Sequence, residues 1–514
     1  MKRIVLIVAL VTFYLNGRAD WNFDSSNNVL VTPTGLSYYD KELTTNKNGY
    51  TYVLLACPSP ECGIAYRLQI MDKDGNKKLG RGGKVISSEK NRTWTTWNQY
   101  LQKDNYGNVF VAIQDARYDA GNVNYTILKF SEDGESLWKG TALNDGIGHP
   151  IEAGLSMLDT PDNGLLCAYS FTDIEAAKDC LHLEKLNKDG SIAWKKEIFQ
   201  TTSSANPFPF VEKTNGDRAL VLWVDKGNIN ANIIDCNTGD LLYDEPKVVY
   251  ANGFASPKVM EVVEVMSGPD NGAIISVVDG NQQGRLVYVK NDLSIGLDGD
   301  MKGILLEQSD DTALSSTSPA VAYNAFDNTF SCFYKSFDKN NKYSQTIYYQ
   351  KLDMNGEIKW KGGKTLIPLQ TDDQYSFFKI RNIGDGASAL FYLKYNNATN
   401  TVKGLSATVD NDGNMSEPNV FAATDKIKIG LWVSESLGDN KFITAWDEKL
   451  SDGYTLFMQE VDFASTSGME VSTACAKPVY SDAYYSIDGT KRNGIEKGIN
   501  ILRRADGSIV KIAK

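Results

Sequence analysis

Residues 129–138, K-F-S-E-D-G-E-S-L-W, form a unit that recurs along this chain and decides its fold. The unit returns as K-L-N-K-D-G-S-I-A-W at 185–194 and as K-L-D-M-N-G-E-I-K-W at 351–360. In each copy a short apolar run enters Asp-Gly or Asn-Gly, and Trp follows the Asp or Asn at the fifth position. Such a pair between apolar runs predicts a β-hairpin, and we expect a primed turn because these residues tolerate positive φ.

Weaker copies at 71–79, 234–243 and 409–417 extend the repeat over most of the chain. The segment before the second strand of each unit aligns on one anchor residue, and neighbouring anchors are 52 to 58 residues apart. The anchors are Gly49, Gly107, Gly164, Gly216, Gly272, Asn328, Gly386 and Asn440. A period of this length is typical of propellers and solenoids, and it predicts eight units.

The third unit shows four short strands, at 154–158, 165–171, 180–186 and 191–199. Four antiparallel strands per repeat predict a propeller blade, because solenoid repeats are usually shorter. The sequence therefore predicts an all-β, eight-bladed β-propeller over residues 20–478. Seven blades are the alternative if a terminal unit is degenerate. We also expect residues 21–33 to add a strand that closes the ring, and Trp138, Trp194 and Trp360 to pack between neighbouring blades.

Residues 1–19 have the pattern of a secretory signal peptide. Lys2 and Arg3 precede an apolar run at 4–15, and Gly17-Arg18-Ala19 supplies a small-residue cleavage site. An uncleaved anchor is the alternative, although the run is shorter than the roughly 20 residues that span a bilayer. No later segment is apolar enough to be a transmembrane segment. The leader predicts a secreted or cell-surface protein.

Charge divides the chain into two parts. The net charge is −11, which argues against non-specific binding to nucleic acid or to anionic membranes. Residues 484–514 carry seven Lys and Arg against three acids, so their charge of +4 and the leader's +3 leave −18 on residues 20–483. This break predicts a separate short β tail at 479–514.

The tail resembles the C-terminal sorting domain of secreted and surface proteins from Bacteroidetes, which the type IX secretion system recognises. The matching residues are Tyr485, Asp488-Gly489, Lys497-Gly498, Ile499-Asn500-Ile501, Arg503, Asp506-Gly507 and the closing Lys511 and Lys514. Over residues 37–475 the chain is similar to the propeller repeats of secreted bacterial proteins. The two resemblances imply an exported repeat protein whose tail has the export machinery as its partner.

Seven cysteines are available for disulfides in an exported chain. Cys57 and Cys62 bracket P-S-P-E, and Cys167 and Cys180 are equidistant from a turn centred near Ile174. We therefore predict the disulfides Cys57–Cys62 and Cys167–Cys180, with at least one free thiol. No pair has zinc-ligand spacing, and no phosphate or dinucleotide glycine motif is present, so we expect neither a metal nor a cofactor.

The candidate ligand-binding residues come from the ends of the second strands. They are Asp115, Arg117, Tyr118, Trp223, Asp225, Asp279, Tyr334, Tyr392, Trp446 and Asp447. Aromatic and acidic side chains on one rim suit a glycan or a peptide, whereas the simpler alternative is that strand ends near a surface carry such residues.

Two functional classes fit this pattern. The first is a non-enzymatic binding or adhesion propeller. The second is a secreted glycan hydrolase or lyase that uses rim carboxylates such as Asp115, Asp225, Asp279 or Asp447, which would have to lie about 5–9.5 Å apart. A histidine-based triad or metal site would depend on His149 or His182, and no nucleophile-elbow motif is present.

Overall fold

The chain forms two compact units, Met1–Phe463 and Ala464–Lys514. The computed structural model describes, in the first, residues 21, 24–89, 99–115, 124–143, 149–173, 175–202, 207–251, 261–297, 301–307, 314–370, 372–451 and 453–463. In the second it describes 483–486, 491–492, 499–503 and 509–513. The expected signal peptide at 1–19 lies outside these ranges. No helix in the part of the chain described is long and apolar enough to cross a membrane.

Within its described residues the first unit has 32 strands and a single turn of 3-10 helix at Pro269–Asn271. The strands are β1 (Val29–Leu30), β2 (Asp40–Thr45), β3 (Thr51–Ser59), β4 (Gly63–Met71), β5 (Lys84–Ser87), β6 (Tyr100–Lys103), β7 (Val109–Asp115), β8 (Asn124–Phe130), β9 (Thr141–Ala142), β10 (His149–Asp159), β11 (Leu165–Asp173), β12 (Lys178–Leu186), β13 (Ile192–Thr202), β14 (Pro209–Lys213), β15 (Arg218–Asp225), β16 (Asn228–Asp235), β17 (Lys247–Tyr250), β18 (Glu261–Ser267), β19 (Ala273–Val278), β20 (Gly284–Val289), β21 (Ile304–Leu305), β22 (Leu314–Asn324), β23 (Thr329–Asp338), β24 (Asn341–Asp353), β25 (Lys364–Gln370), β26 (Asp373–Asn382), β27 (Ser388–Asn396), β28 (Thr401–Val409), β29 (Asn419–Ala422), β30 (Lys428–Val433), β31 (Lys441–Leu450) and β32 (Gly453–Asp462).

These strands form eight four-stranded antiparallel sheets, arranged as the blades of a propeller. Blades 1 to 7 take four consecutive strands each, from β2–β5 in blade 1 to β26–β29 in blade 7. Blade 8 has the order β1-β32-β31-β30, so its outermost strand comes from the start of the chain. The predicted eight-bladed propeller is confirmed, and the seven-bladed and solenoid alternatives are wrong.

The chain closes its ring through residues near its N-terminus, as predicted. Val29 pairs with Met458 and Leu30 with Phe457. Trp21 is buried, and its Nε1 atom donates to the carbonyl of Lys73 in blade 1 at 2.7 Å. Trp21 therefore precedes the outermost strand of blade 8 and contacts the next blade, as the repeated Trp does in its own blade.

The repeated Trp packs between blades, which confirms the prediction. The Nε1 atom of Trp138 in blade 2 donates to the carbonyl of Lys188 in blade 3 at 2.9 Å. Its ring lies so close to Gly190 that a Cβ atom there would come within 2.9 Å of it. Trp194 makes the same contact with blade 4, where Nε1 donates to Cys236 at 3.0 Å. Each Trp therefore requires the Gly of the following blade.

The turn in the repeat differs from the expected primed turn. The amide of Gly134 donates to Ser131 at 2.9 Å, and the amide of Ser131 donates to Glu135 at 3.0 Å. Gly134 has φ of +77°, whereas Asp133 keeps a negative φ. The loop is thus a type I turn followed by one left-handed residue, and the expectation of a primed turn was wrong.

Both predicted disulfides are wrong. Cys167 faces Glu184 across the β11–β12 hairpin, and Cys180 faces Phe171, because the hairpin is centred between residues 175 and 176 and not near Ile174. Cys57 faces Ala65 across the β3–β4 hairpin, while the thiol of Cys62 donates to the carbonyl of Ile64 at 3.3 Å. The six described cysteines are free thiols and are buried. Cys475 lies outside the described residues.

The second unit contains a four-stranded antiparallel sheet. Its strands are β33 (Ala483–Ser486), β34 (Lys491–Arg492), β35 (Ile499–Arg503) and β36 (Ile509–Ala513), in the order β34-β33-β35-β36. The expected β tail therefore folds as a small sheet of its own.

Candidate functional site

The predicted carboxylates lie in four different blades, where Asp115 joins blade 2 to β5 of blade 1 and Asp279 is paired within blade 5. Asp115 is 1 % exposed and accepts hydrogen bonds from Ser87 at 2.8 Å and Thr126 at 2.9 Å. Asp279 is 2 % exposed and forms an ion pair with the Nε atom of Arg285 at 2.6 Å. Each of these carboxylates thus stabilises a strand end.

The other two predicted carboxylates belong to blades 8 and 4. Asp447 is buried and accepts from the Tyr38 hydroxyl and the Lys41 ammonium, so it ties blade 8 to blade 1. Burial, followed by the charge of Asp447, raises the pKa of Tyr38, which keeps that hydroxyl a neutral donor. Asp225 is half-buried and accepts a long hydrogen bond of 3.4 Å from Thr201.

The predicted aromatic residues pack between blades. Trp223 is 1 % exposed and meets Phe199 at a ring distance of 5.5 Å. Tyr334 and Trp446 are fully buried, and they donate to the carbonyl of Leu306 at 3.2 Å and to Oε1 of Glu448 at 3.0 Å. Arg117 and Tyr118 lie outside the described residues. Of the predicted set, Tyr392 borders an open groove.

This groove, of about 1060 Å³, lies between the outer parts of blades 6 and 7. One wall is β25, with Leu366 and Ile367, and the other is blade 7, with Met415 and Val420. Tyr392 lines its base. All four wall residues are half-buried, so the groove presents apolar surface that the fold leaves partly uncovered.

The groove exists because the outer strands of the two blades differ in length. β25 has seven residues, whereas β29 has four. β29 pairs with β28 only from Gly404 to Ser406, which leaves the start of β28 uncovered by an outer strand. The strands are antiparallel, so the uncovered residues would face the chain after Ala422, where β29 ends. No local sequence pattern signals this groove.

Polar side chains of the β27–β28 loop border the groove at Asn396, Thr399, Asn400 and Thr401. Thr399 Oγ1 donates to Asn396 Oδ1 at 2.9 Å, and Asn400 has a left-handed backbone with φ of +53°. These amides and hydroxyls can exchange hydrogen bonds with a bound molecule.

Two ion pairs neutralise the lysines of the groove. Lys394 pairs with Asp373 at 2.8 Å, and Lys403 pairs with Asp425 at 2.5 Å. The hydrogen bond and charge of Lys403 hold the pKa of the Asp425 carboxyl below its ordinary value. Glu417 is exposed and has no ion-pair partner among the described residues. These five residues were not among those predicted from the sequence.

No group of three or more His, Cys, Asp or Glu side chains within the described ranges is arranged to hold a metal ion. His182 is buried, and burial lowers its pKa against the opposing hydrogen bond of its Nε2 atom with Glu197 at 3.3 Å. Its ring contacts Phe171 at 4.5 Å, so this histidine packs within blade 3.

No family model matches the chain, and no curated protein matches it in sequence. Solved structures do match it. Puromycin hydrolase is 11% identical with a TM-score of 0.43, over 84% of this chain and 61% of that protein. Prolyl oligopeptidase B from Galerina marginata is 11% identical with a TM-score of 0.41, over 81% and 55% of the two chains. The Dos1 propeller is 9% identical with a TM-score of 0.42, over 87% and 97%.

This chain therefore spans less than two thirds of the length of the first two proteins. At these identities and TM-scores the matches carry no inference about activity or ligand.

Proposed function

We propose that this chain is a secreted or surface-displayed β-propeller that binds a glycan or peptide ligand in the groove between blades 6 and 7. The observation that carries the proposal is the groove itself, where apolar walls meet a border of amides and hydroxyls. Ligand sites in proteins have this composition and typical volumes of roughly 300–1000 Å³. Tyr392, predicted from the sequence as a ligand-binding residue, lies in its base.

The scaffold suits a binding role. Leu366, Ile367 and Val420 belong to paired strands of blades 6 and 7, and a β-bridge to Val409 holds Met415, so the site is formed before a ligand arrives. Sites on regular strands are held more rigidly than sites on loops, which reduces the ordering cost of binding.

We further propose that the C-terminal unit directs export. Its support is the resemblance of residues 484–514 to a type IX sorting domain of Bacteroidetes, together with their charge of +4 beside an acidic body. The unit also has its own four-stranded sheet. The leader at 1–19 would begin export across the inner membrane, and the C-terminal unit would be read by the outer-membrane machinery.

The binding proposal is tested with the purified full chain on glycan and peptide arrays. Met415→Arg places a charge on one wall and should abolish binding. Leu137→Arg is the matched control, because Leu137 is 50 % exposed in blade 2, far from the groove. Equal binding by both variants, or no binding by the parent chain, would overturn the proposal. Release of a sugar product that is lost in Glu417→Gln would favour the hydrolase or lyase alternative.

The export proposal is tested by deleting residues 484–514 in the native host. The shortened protein should keep its melting temperature and accumulate in the periplasm. Normal release from cells lacking this segment would show that it is no sorting signal. A much lower melting temperature would show that it is part of the folded ring.

A further inference from the structure

We infer that the groove between blades 6 and 7 takes an extended peptide with an apolar side chain beside a Lys or Arg, and not a glycan. This inference rests on the proposed function and narrows its ligand to one class.

The tyrosines of the groove are closed to sugar rings. Tyr392 is 1 % exposed and Tyr375 is 4 % exposed. The two ring centroids lie 6.0 Å apart, and the ring of Tyr392 also lies 6.0 Å from that of Phe333. A sugar gains most from an aromatic residue by lying on an open ring face. Since neighbouring rings cover these faces, the groove lacks the platform that a glycan would use.

The open surface of the groove is aliphatic instead. Leu366 and Ile367 on one wall and Met415 and Val420 on the other are half-buried. A Leu, Ile, Met or Phe side chain placed between them removes apolar surface from water on both partners. Met415 can adapt its shape to different side chains because its side chain is unbranched.

One wall also offers backbone groups. β25 is the last strand of the blade 6 sheet, so one of its edges has no partner within that sheet. An extended peptide can pair with such an edge, which a glycan cannot do in the same way. Pro368 lacks an amide, so this position of the strand cannot donate to a paired peptide.

The charge of the groove favours a cation. Lys394 and Lys403 are neutralised by Asp373 and Asp425, and Glu417 is left as the exposed carboxylate without an ion-pair partner in the described part of the chain. Residues 20–463, which belong to the same unit as the groove, carry a net charge of −17. A basic side chain is therefore attracted to the groove, whereas an acidic glycan is repelled.

The test measures fluorescence anisotropy of labelled probes with the full chain. The probes are the peptide Gly-Ser-Leu-Lys-Leu-Ser-Gly, the same peptide with Glu for Lys, the same peptide with Ser for both Leu, and a neutral glucose hexasaccharide. The Lys peptide should bind more tightly than the other three. Glu417→Gln should weaken it about 3- to 5-fold at low salt, since an exposed ion pair contributes little more than this. Glu135→Gln, an exposed carboxylate in blade 2, should leave the affinity unchanged.

The outcomes separate this inference from the proposed function. One outcome is that the parent chain binds glycans but not the peptides, and that Met415→Arg prevents glycan binding. That outcome overturns the peptide inference, and the binding proposal stands. If Glu417→Gln binds the Lys peptide as tightly as the parent chain does, the assignment of a basic partner is overturned. If no peptide or glycan binds, both proposals fail.

Discussion

The Nζ atom of Lys351 lies 2.5 Å from the Oδ2 atom of Asp327, inside blade 6. The same ammonium group donates to the carbonyl of Gly386 at 3.0 Å and to Oδ1 of Asn411 at 2.5 Å, both in blade 7. Lys351 therefore joins the third strand of its own blade to the turn before the second strand, and it also joins two blades.

Lys351 is the first residue of its repeat, and the other two strong copies use this position in the same way. Lys129 pairs with Asp104 at 2.8 Å in blade 2, and Lys185 pairs with Asp162 at 2.9 Å in blade 3. All three lysines are buried. The repeat thus contains a buried cation as well as a Trp that contacts the next blade.

Replacing this cation should destabilise the propeller. Lys351→Met keeps the aliphatic stem but removes the donor to Oδ2 of Asp327 and to two blade 7 oxygens, while Thr329 still donates to Oδ1 of Asp327. We expect a loss of about 2–3 kcal/mol in the free energy of unfolding, at or below the lower end of the range for broken buried pairs, because Asp327 is 26 % exposed. Urea denaturation measures this change. Lys73→Met, in a pair with exposures of 66% and 50%, should leave the stability nearly unchanged. Equal losses of stability in Lys351→Met and Lys73→Met would contradict a stabilising role for the buried lysine.

Trp21 should be as important as a Trp within the ring. Trp21→Ala removes a buried indole and its hydrogen bond to Lys73, and we expect a loss of about 3 kcal/mol or more. Trp21→Phe retains most of the packing and should lose about 1 kcal/mol. Thermal or urea unfolding measures both changes. An unchanged stability of Trp21→Ala would mean that ring closure does not depend on this residue.

Phe377 holds a backbone conformation that suits glycine. It has φ of +55° and is 44 % exposed, in a β-bulge between Ser376 and Lys379. Gly430 occupies the equivalent bulge of blade 8 with φ of +63°. Phe377→Gly relieves strain and loses little burial, so we expect stability between unchanged and about 1 kcal/mol higher.

The reciprocal change provides the comparison. Gly430→Ala should destabilise by about 1–2 kcal/mol, because an alanine in a left-handed conformation is strained. The added Cβ atom would lie 3.4 Å from Lys41, so it has room and the loss would report the backbone. Equal effects of the two changes in urea denaturation would refute the strain at Phe377.

Glu42 should give the propeller a pH dependence. Burial, with the charge of Asp40 adding to it, raises the pKa of Glu42 from 4.5 to about 8. Between these values the folded chain holds a proton that the unfolded chain releases, so stability falls as pH rises through this window.

Glu42→Gln removes that proton exchange. The stability of this variant relative to the parent chain should be higher at pH 8 than at pH 4. Between these pH values the difference in free energy of unfolding between variant and parent should change by on the order of 1–2 kcal/mol after solvent screening. Urea denaturation at both values measures it, with Glu135→Gln as the exposed control. A difference independent of pH would contradict the raised pKa.

The amino-acid sequence alone determined the architecture. Spacing predicted eight blades, the Trp at the end of each copy predicted contact with the next blade, and residues 21–33 were expected to close the ring. These features are repeated local patterns, and a propeller places each pattern beside the next one in the chain. Counting the pattern is therefore sufficient to count the blades.

Only the tertiary structure decided the cysteine pairing and the residues of the groove. The hairpin centre lies two residues from the expected position, which places Cys167 opposite Glu184. The amino-acid sequence alone does not fix that register. The side chain of Trp446, at a strand end, could have faced solvent or a neighbouring blade, and Phe421 of blade 7 packs against it.

The groove and the buried cations depend on contacts distant in sequence. Lys351 donates to oxygens that are 24, 35 and 60 residues away in the sequence. The groove lies where β29, with four residues, covers less of blade 7 than the longer β25 covers of blade 6. Local periodicity specifies each hairpin, but the burial of a side chain is set by the surface that the adjacent blade brings against it.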